Sequence, residues 1–506
     1  MNSSAQGRSH PIRPYARWSL FALLLCVVVS LPEWTTLAGE RKGTEPRDSA
    51  STGGLIEWAA SKISWSGLLH GGGDTTRTTD ACTDLERDCK NLEPFYGCTV
   101  DTIIVTGNTY TKTVAIIREM ATKKGARLDE RLIRRDSSYL RGLTYFVEVG
   151  INAEATEYGK CRILVTVTER PAIFMRVPYP VVNYDFEKGI SYGVTWKIKN
   201  FRGLAEDLSA SALVRQKREE GASFSWNIPW LMGRRLGLNT NAFTYRRIEL
   251  PVDTDEDYIK RQNGAALGLS IPLTRSLINQ LWFRTIVSFD WRESWLTPFS
   301  SGGASSRGFY TQEFVSEGAE FVYDSRADRI SPFSGMLHRI SARRFTSVSG
   351  LNQQFTFYSF SNYFYIPAGT ERVIIAALDG DIREGDLPGY YQMKLGGVKD
   401  VRGFSDNTLR GPAKLIGTLE YRAQIFGPHV FRLPKIGKFD VTVNGVAFID
   451  SGTLMKSILD VDTATFHTTE GFGVEIISPF RDLMRIELAT DGTGSPAFYM
   501  TSGANF

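Results

Sequence analysis

From residue 173 to residue 506, apolar and polar residues alternate in short runs separated by polar, glycine-rich turns. Around Leu281–Trp291, residues Leu281, Phe283, Val287, Phe289 and Trp291 share one face of an extended chain. Gln280, Arg284, Ser288, Asp290 and Arg292 share the other. A period of two is the signature of a strand with two different surroundings. Sixteen such segments can be counted, the first near 175–185 and the last near 495–506. Many run about ten residues or more, enough to cross a bilayer when tilted, whereas ordinary strands average about five or six. An even set of long, two-faced strands predicts a transmembrane β-barrel over 173–506. Closure leaves no unpaired strand edge, which lipid cannot satisfy.

The pattern upstream is different. Val100–Thr106 is a strand signal closed by Gly107-Asn108. Val114, Ile116, Ile117 and Met120 follow at helical spacing, and Leu128, Leu132, Ile133 and Leu140 predict a second helix ended by Gly142. Tyr145–Val149 and Arg162–Thr168 read as two more strands. The order is β-α-α-β-β, a small α/β domain over 96–172. Residues 39–95 lack periodicity apart from a short amphipathic stretch at Leu55–Ala60 and read as a linker.

One long apolar run, Trp18–Leu31, follows Arg8, Arg13 and Arg17 and precedes the small-residue site Thr36-Leu37-Ala38. That is the layout of a secretory signal peptide over 1–38, with an uncleaved anchor and a transit peptide as the competing readings. Export bears on the cysteines. Cys26 lies in the signal, and Cys82, Cys89, Cys98 and Cys161 make an even set expected to form two disulfides in one of three pairings. A zinc site is the competing reading, but it lacks paired C-x-x-C spacing and has only His70 nearby, so no metal is expected.

Composition narrows the class. The chain has 59 Lys+Arg against 55 Asp+Glu, a formal +4, too small an excess for a general nucleic-acid binder. Its 42% hydrophobic content suits neither a helical membrane protein nor a disordered chain. Gly189-Ile190-Ser191-Tyr192-Gly193 matches a nucleophile-elbow pattern, with His338, His429 and His467 as candidate bases. An elbow needs a strand–turn–helix, and here the motif opens a strand, so no catalytic residue and no cofactor is expected.

Further motifs carry a family resemblance. The Val105-Thr106-Gly107-Asn108 turn and the Leu143-Thr144-Tyr145-Phe146-x-x-Val149 segment, in a β-α-α-β-β order, resemble a polypeptide-transport-associated (POTRA) domain. The connection Glu384–Arg410 contains Val401-Arg402-Gly403-Phe404. It is flanked by Tyr323-Asp324-Ser325-Arg326 with Pro332 and Gly335, and by Phe448-Ile449-Asp450-Ser451-Gly452. With a POTRA domain and sixteen strands, residues 96–506 resemble the BamA/TamA group of outer-membrane assembly factors, which includes the mitochondrial sorting-and-assembly barrel.

The resemblance implies a loop folded into the lumen, with Arg402 paired to inner-wall carboxylates. Alternation puts Glu420, with Arg422, opposite Leu415, Leu419 and Tyr421, and puts Asp450 opposite Val441, Val443 and Ile449. Glu420 and Asp450 also match positions where the group places the partners of its arginine. The terminal Phe506, with Phe498 and Met500 on its face, resembles the last-strand signal of bacterial outer-membrane barrels, although Gly503 and Ala504 are smaller than the usual pattern.

The implied function is non-enzymatic. A periplasmic POTRA edge captures strands of unfolded outer-membrane or exported polypeptides, and the seam between the first and last strands opens beside outer-membrane lipid. Accessory lipoproteins are further implied partners. A single POTRA departs from the several of the bacterial assembly factor and favours a specialised paralogue. The alternatives are a two-partner-secretion transporter, a passive outer-membrane pore and, more distantly, a barrel lipase.

Overall fold

The computed structural model describes residues 92–186, 189–215, 219–249, 258–274, 279–296, 309–326, 328–349, 352–387, 391–494 and 496–502. The signal segment, Leu55–Ala60, Cys82, Cys89 and Phe506 lie outside the described residues.

The N-terminal domain is a three-stranded sheet with two helices. Strand β1 is Thr99–Thr106, helix α1 Thr113–Ile117, helix α2 Glu130–Gly142, strand β2 Phe146–Glu157 and strand β3 Lys160–Glu169. The sheet order is β1-β3-β2, with β1 parallel and β2 antiparallel to the central β3. Asp129 starts α2 by accepting the Arg131 and Leu132 amides, the usual way to satisfy free N–H groups at a helix start. Ile116, Met120, Ile133 and Leu140 of the helical side bury against Val100, Ile151, Ile163 and Val165 of the sheet. Leu92, beside a short 3-10 turn at Glu93–Phe95, joins the same core. Cys98 and Cys161 are disulfide-bonded, which ties the start of β1 to the start of β3.

Helix α3, Ala172–Arg176, then leads into the barrel. Its strands are β4 Tyr179–Asp185, β5 Gly189–Phe201, β6 Glu206–Arg215, β7 Glu219–Ile228, β8 Gly237–Glu249, β9 Tyr258–Pro272, β10 Gln280–Leu296 and β11 Phe309–Asp324. They continue as β12 Gly335–Ser349, β13 Gln354–Pro367 and β14 Arg372–Gly385. After the short β15 (Met393–Gly396) and β16 (Ser405–Gly411) come β17 Ala413–Leu433, β18 Gly437–Met455, β19 His467–Ile477, β20 Leu483–Thr490 and β21 Ala497–Ser502. Neighbours in sequence pair antiparallel, β14 pairs with β17, and β21 pairs with β4 to close a barrel of sixteen strands. The fold is the expected antiparallel barrel behind one small α/β domain.

Alternation sorts the side chains as the pleat demands. On β10, Val287 and Phe289 are exposed on the outer face, while Ser288 and Asp290 are buried toward the lumen. On β17, Leu419 and Tyr421 face outward and Glu420 and Arg422 inward. Among the described residues no helix is long and apolar enough to cross a membrane.

The N-terminal domain rests on the turns at one end of the barrel. Arg170, buried, donates to Asp440 at 2.6 Å and to the carbonyl of Pro479 at 3.2 Å. Lys438 meets Glu148 at 2.6 Å, and Trp230 donates its indole N–H to Glu119 at 2.5 Å. The Lys438 hydrogen bond is the main reason the Glu148 carboxyl sits below its ordinary pKa.

Candidate functional site: a lumen loop, a charge ladder and a short seam

The loop between β14 and β17 folds into the lumen and is held at two levels. Tyr391 sits among Phe314, Phe345, Phe355 and Phe357, with its ring 4.7 Å from that of Phe355. Arg383 donates to its carbonyl oxygen. Deeper in, β15 and β16 pair as a small ladder, and the tight turn between them presents Val401-Arg402-Gly403-Phe404.

Each motif residue has a physical task. Val401 is fully buried against Leu395 and Ile416. A Cβ on Gly452 would stand 2.6 Å from Val401 Cγ2, so the glycine of Phe448–Gly452 makes the hollow that Val401 fills. Gly403 has φ of +88°, and a Cβ there would come within 2.9 Å of the Ala489 and Thr490 backbone. Its N–H donates to the Tyr499 hydroxyl at 3.1 Å. The ring of Phe404 lies 4.2 Å from that of His467.

Arg402 is 6% exposed and makes a fork to Asp450, Nε at 2.7 Å and Nη2 at 2.9 Å. Its Nη1 reaches Glu487 at 2.8 Å and Glu420 at 3.4 Å. The guanidinium also lies 3.3 Å from the centroid of the Phe448 ring. A planar fork can hold two carboxylates and stack on a ring at once, which an ammonium cannot.

Arg485, Glu475 and Glu487, and the Ser331–Phe333 turn, were missed by the sequence reading. Arg485 on β20 joins Glu420 (2.8 Å), Glu475 (2.8 Å) and Glu487 (3.1 Å). The signal was present, because Leu483, Arg485, Glu487 and Ala489 alternate onto one face. The ladder continues through Glu475 to Arg422 at 3.2 Å. There it meets the turn between β11 and β12, which also folds inward. Ser331 Oγ donates to Glu475 at 3.3 Å, and Arg422 donates to the Pro332 carbonyl beneath the Phe333 ring. A loop from one end of the barrel and a turn from the other thus meet on one buried row of charges.

The seam is short. Among the described residues β21 and β4 pair only at Tyr499↔Asp185 and Met500↔Tyr184. Beside it, β20 and β21 pair from Met484↔Ser502 to Ala489↔Ala497. Asn183 adds a side-chain clasp, accepting from the Ser502 amide at 2.6 Å and hydroxyl at 2.9 Å. Phe498 lies exposed on the outer face of β21, while Tyr499 is buried in the lumen. Ser191 of the elbow-like motif lies inside the continuous strand β5, between outward-facing Ile190 and Tyr192.

A closed sixteen-stranded barrel with a POTRA domain at its N-terminus and a loop locked in its lumen defines an outer-membrane β-barrel protein. Residues 200–506 match the Omp85 superfamily domain, and residues 98–170 match POTRA, the surface antigen variable number repeat. The chain belongs to the Omp85 superfamily, whose barrels act in polypeptide insertion and translocation at the outer membrane. The solved structure of CdiB from Escherichia coli is similar, with 14% identity, a TM-score of 0.56, and 98% of this chain and 100% of that one covered. CdiB from Acinetobacter baumannii gives 13% identity and a TM-score of 0.51, covering 80% of this chain and 74% of that one. BamA from Haemophilus ducreyi lacking POTRA domains 1–3 gives 16% identity and a TM-score of 0.49, with 80% and 84% covered. No curated protein matches the chain in sequence.

Proposed function

We propose that this protein is an outer-membrane assembly factor that inserts or translocates other polypeptides by opening its β4–β21 seam, with its POTRA domain in the periplasm. The observation that carries this reading is the two-pair register of that seam beside a six-pair register between β20 and β21. Among the described residues this junction has the fewest ladder pairs, and fewer ladder hydrogen bonds lower the cost of opening. Strand β2 lies at one edge of the POTRA sheet among the described residues, a position suited to β-augmentation of an extended client. The lumen loop and the charge ladder brace the wall beside the seam, and Val401, Arg402, Gly403 and Phe404 with Glu420 and Asp450 act as a positioning element rather than a reaction centre. Client folding supplies the driving force.

A staple tests this. The Tyr184→Cys/Met500→Cys pair, oxidised across the seam, is expected to abolish insertion of an unfolded eight-stranded barrel into vesicles holding the full-length protein. Reduction should restore it. A control staple at Val182→Cys/Tyr192→Cys, within the β4–β5 pair, should leave insertion unchanged. Full insertion by the seam-stapled protein would overturn the reading.

A further inference from the structure

Strands β17 and β18 run past their neighbours at the POTRA end of the barrel. β14 accompanies β17 only as far as Arg372↔Ala423, and β19 accompanies β18 only to Thr442↔Ile477. Beyond those limits the two strands pair only with each other, from His429↔Val441 to Leu433↔Gly437. The projecting hairpin exposes Ile425, Phe426, Val430, Phe431, Leu433 and Ile436. His429, Arg432 and Lys435 are exposed with them, and no Asp or Glu occurs from Gln424 to Phe439.

What covers this surface can be argued from charge, continuity and edge chemistry. Helix α3 and the POTRA domain take one part of it: Phe439 lies 5.0 Å from Phe174 of α3, and Lys438 is paired with Glu148 of β2. Ile425, Phe426, Phe431 and Leu433 continue the lipid-facing row of Leu419 and Tyr421, whereas Val430 and Arg432 lie opposite Asp440 and Lys438 on the other face of the hairpin. Apolar side chains mixed with cations and no anion suit the boundary between acyl chains and anionic headgroups. The free edge of β17 is a poor template for a client strand. It carries bulges at Gln424/Phe426 and Phe426/His429, Pro428 lacks an N–H, and basic side chains flank it.

We infer that the Gln424–Phe439 hairpin is a membrane-surface anchor. It seats its apolar side chains in the leaflet on the POTRA side, and Arg432 and Lys435 bind the headgroups of anionic phospholipid there. Because Lys438 also holds the POTRA domain and Phe439 packs on the α3 helix that follows it, the anchor fixes that domain at a set position beneath the bilayer.

The test uses the full-length protein in vesicles of phosphatidylethanolamine and phosphatidylglycerol, with the photo-crosslinker p-benzoylphenylalanine placed singly at Phe431, Leu433 or Ile436. Leu419, on the barrel wall, is the positive control, and heat-modifiable gel migration verifies that each variant is folded. Lipid adducts are expected at the hairpin positions within about threefold of the Leu419 yield. Each basic residue near an anionic surface is worth about fivefold in partitioning. Arg432→Gln/Lys435→Gln, or phosphatidylcholine in place of phosphatidylglycerol, should therefore lower the hairpin yield by fivefold or more without changing that of Leu419. Adducts at Leu419 but at none of the three hairpin positions would overturn the inference. So would yields indifferent to headgroup charge, or adducts in native membranes that join the hairpin to another polypeptide instead of lipid.

Discussion

Arg402 and Arg485 are held by the same oxygen: Glu487 Oε1 accepts from Arg402 Nη1 at 2.8 Å and from Arg485 Nη1 at 3.1 Å. One arginine belongs to the lumen loop and the other to the barrel wall, so the loop is joined to a network the wall already has. Removing the loop arginine leaves Arg485 among Glu420, Glu475 and Glu487, whereas removing Arg485 leaves three carboxylates crowded together.

Arg402→Ala is therefore expected to release the loop. Asp450 would remain buried without its forked partner, and breaking a buried pair costs about 3–5 kcal/mol. Limited proteolysis of folded protein should cut within Glu384–Arg410 at least tenfold faster in the variant. Arg402→Lys should recover part of the protection, because an ammonium cannot make the fork. Combining Arg402→Ala with Asp450→Asn should add less than the two single effects, as residues in one network do. Equal cleavage of wild-type and Arg402→Ala loops would mean the arginine does not lock the loop.

Arg485→Met should cost more than Arg402→Ala. It leaves Glu420, Glu475 and Glu487 without the cation they share, and like charges in a buried site are costly. The expected readout is a lower temperature for the shift from fast to slow gel migration, with the Glu475→Gln/Arg485→Met double variant recovering part of the loss. A transition temperature unchanged in Arg485→Met would remove the ladder from the account of barrel stability.

The barrel was legible because its pattern is local and repeated: period two, long segments and turns at each end. What the pattern hid has physical causes. Met393–Gly396 is only four residues, too few to show alternation, so the Glu384–Arg410 connection read as plain loop. The first strand reads from near residue 175, yet Pro171 leads Ala172–Arg176 into a helix turn and the strand begins at Tyr179. Gly427-Pro428 reads as a strand end near residue 425, but two bulges absorb it and β17 continues to Leu433. At the site, alternation showed which way Glu420 and Asp450 face. It could not show that Ser331 and Phe333 cross the lumen to the Arg422 wall, because no local pattern reports a contact between distant strands.

Gly452 offers a steric test that does not touch a charge. Gly452→Val would place methyl groups where Val401 Cγ2 now sits, with Leu395 Cδ1 only 3.1 Å from the new Cβ. Overpacking of this kind costs about 1–3 kcal/mol. The loop should become protease-sensitive although Arg402, Glu420 and Asp450 are all intact. Val401→Ala in the same chain should restore protection by reopening the hollow. If Gly452→Val alone leaves the loop resistant, Val401 is not seated there.

The cysteines give a redox prediction. Cys98–Cys161 closes a sequence separation of 63 and ties β1 to β3, for which chain entropy gives about 4 kcal/mol. With Cys98 and Cys161 joined, the expectation of two disulfides becomes a prediction that Cys82 bonds Cys89. Thiol labelling of denatured, unreduced mature protein should find none of the four free. Cys161→Ser should loosen the POTRA domain to proteolysis and leave the heat-modifiable shift of the barrel unchanged. Labelling of Cys98 and Cys161 in the unreduced protein would refute the bridge.

Glu169 at the end of β3 sets a pH dependence for the POTRA turn. Burial alone would raise its pKa, but hydrogen bonds outweigh it and hold the carboxyl below its ordinary value. Thr109 donates its hydroxyl at 2.6 Å, and the amides of Tyr110 and Thr111 donate at 3.0 and 2.6 Å. A folded-state pKa below the unfolded one gives stability that is complete above the unfolded value, about 4.3, and is lost as the pH falls through the lower folded value. Hydrogen exchange of the Thr109–Thr111 amides in the full-length protein, corrected for intrinsic rate, should therefore show steady protection from neutral pH down to about 4.5. Protection should then fall as the solution becomes more acid. Glu169→Gln should lower protection at neutral pH by about tenfold, the loss of a charged acceptor, and flatten the acid dependence. Identical profiles for wild type and Glu169→Gln would show that this carboxylate does not hold the turn.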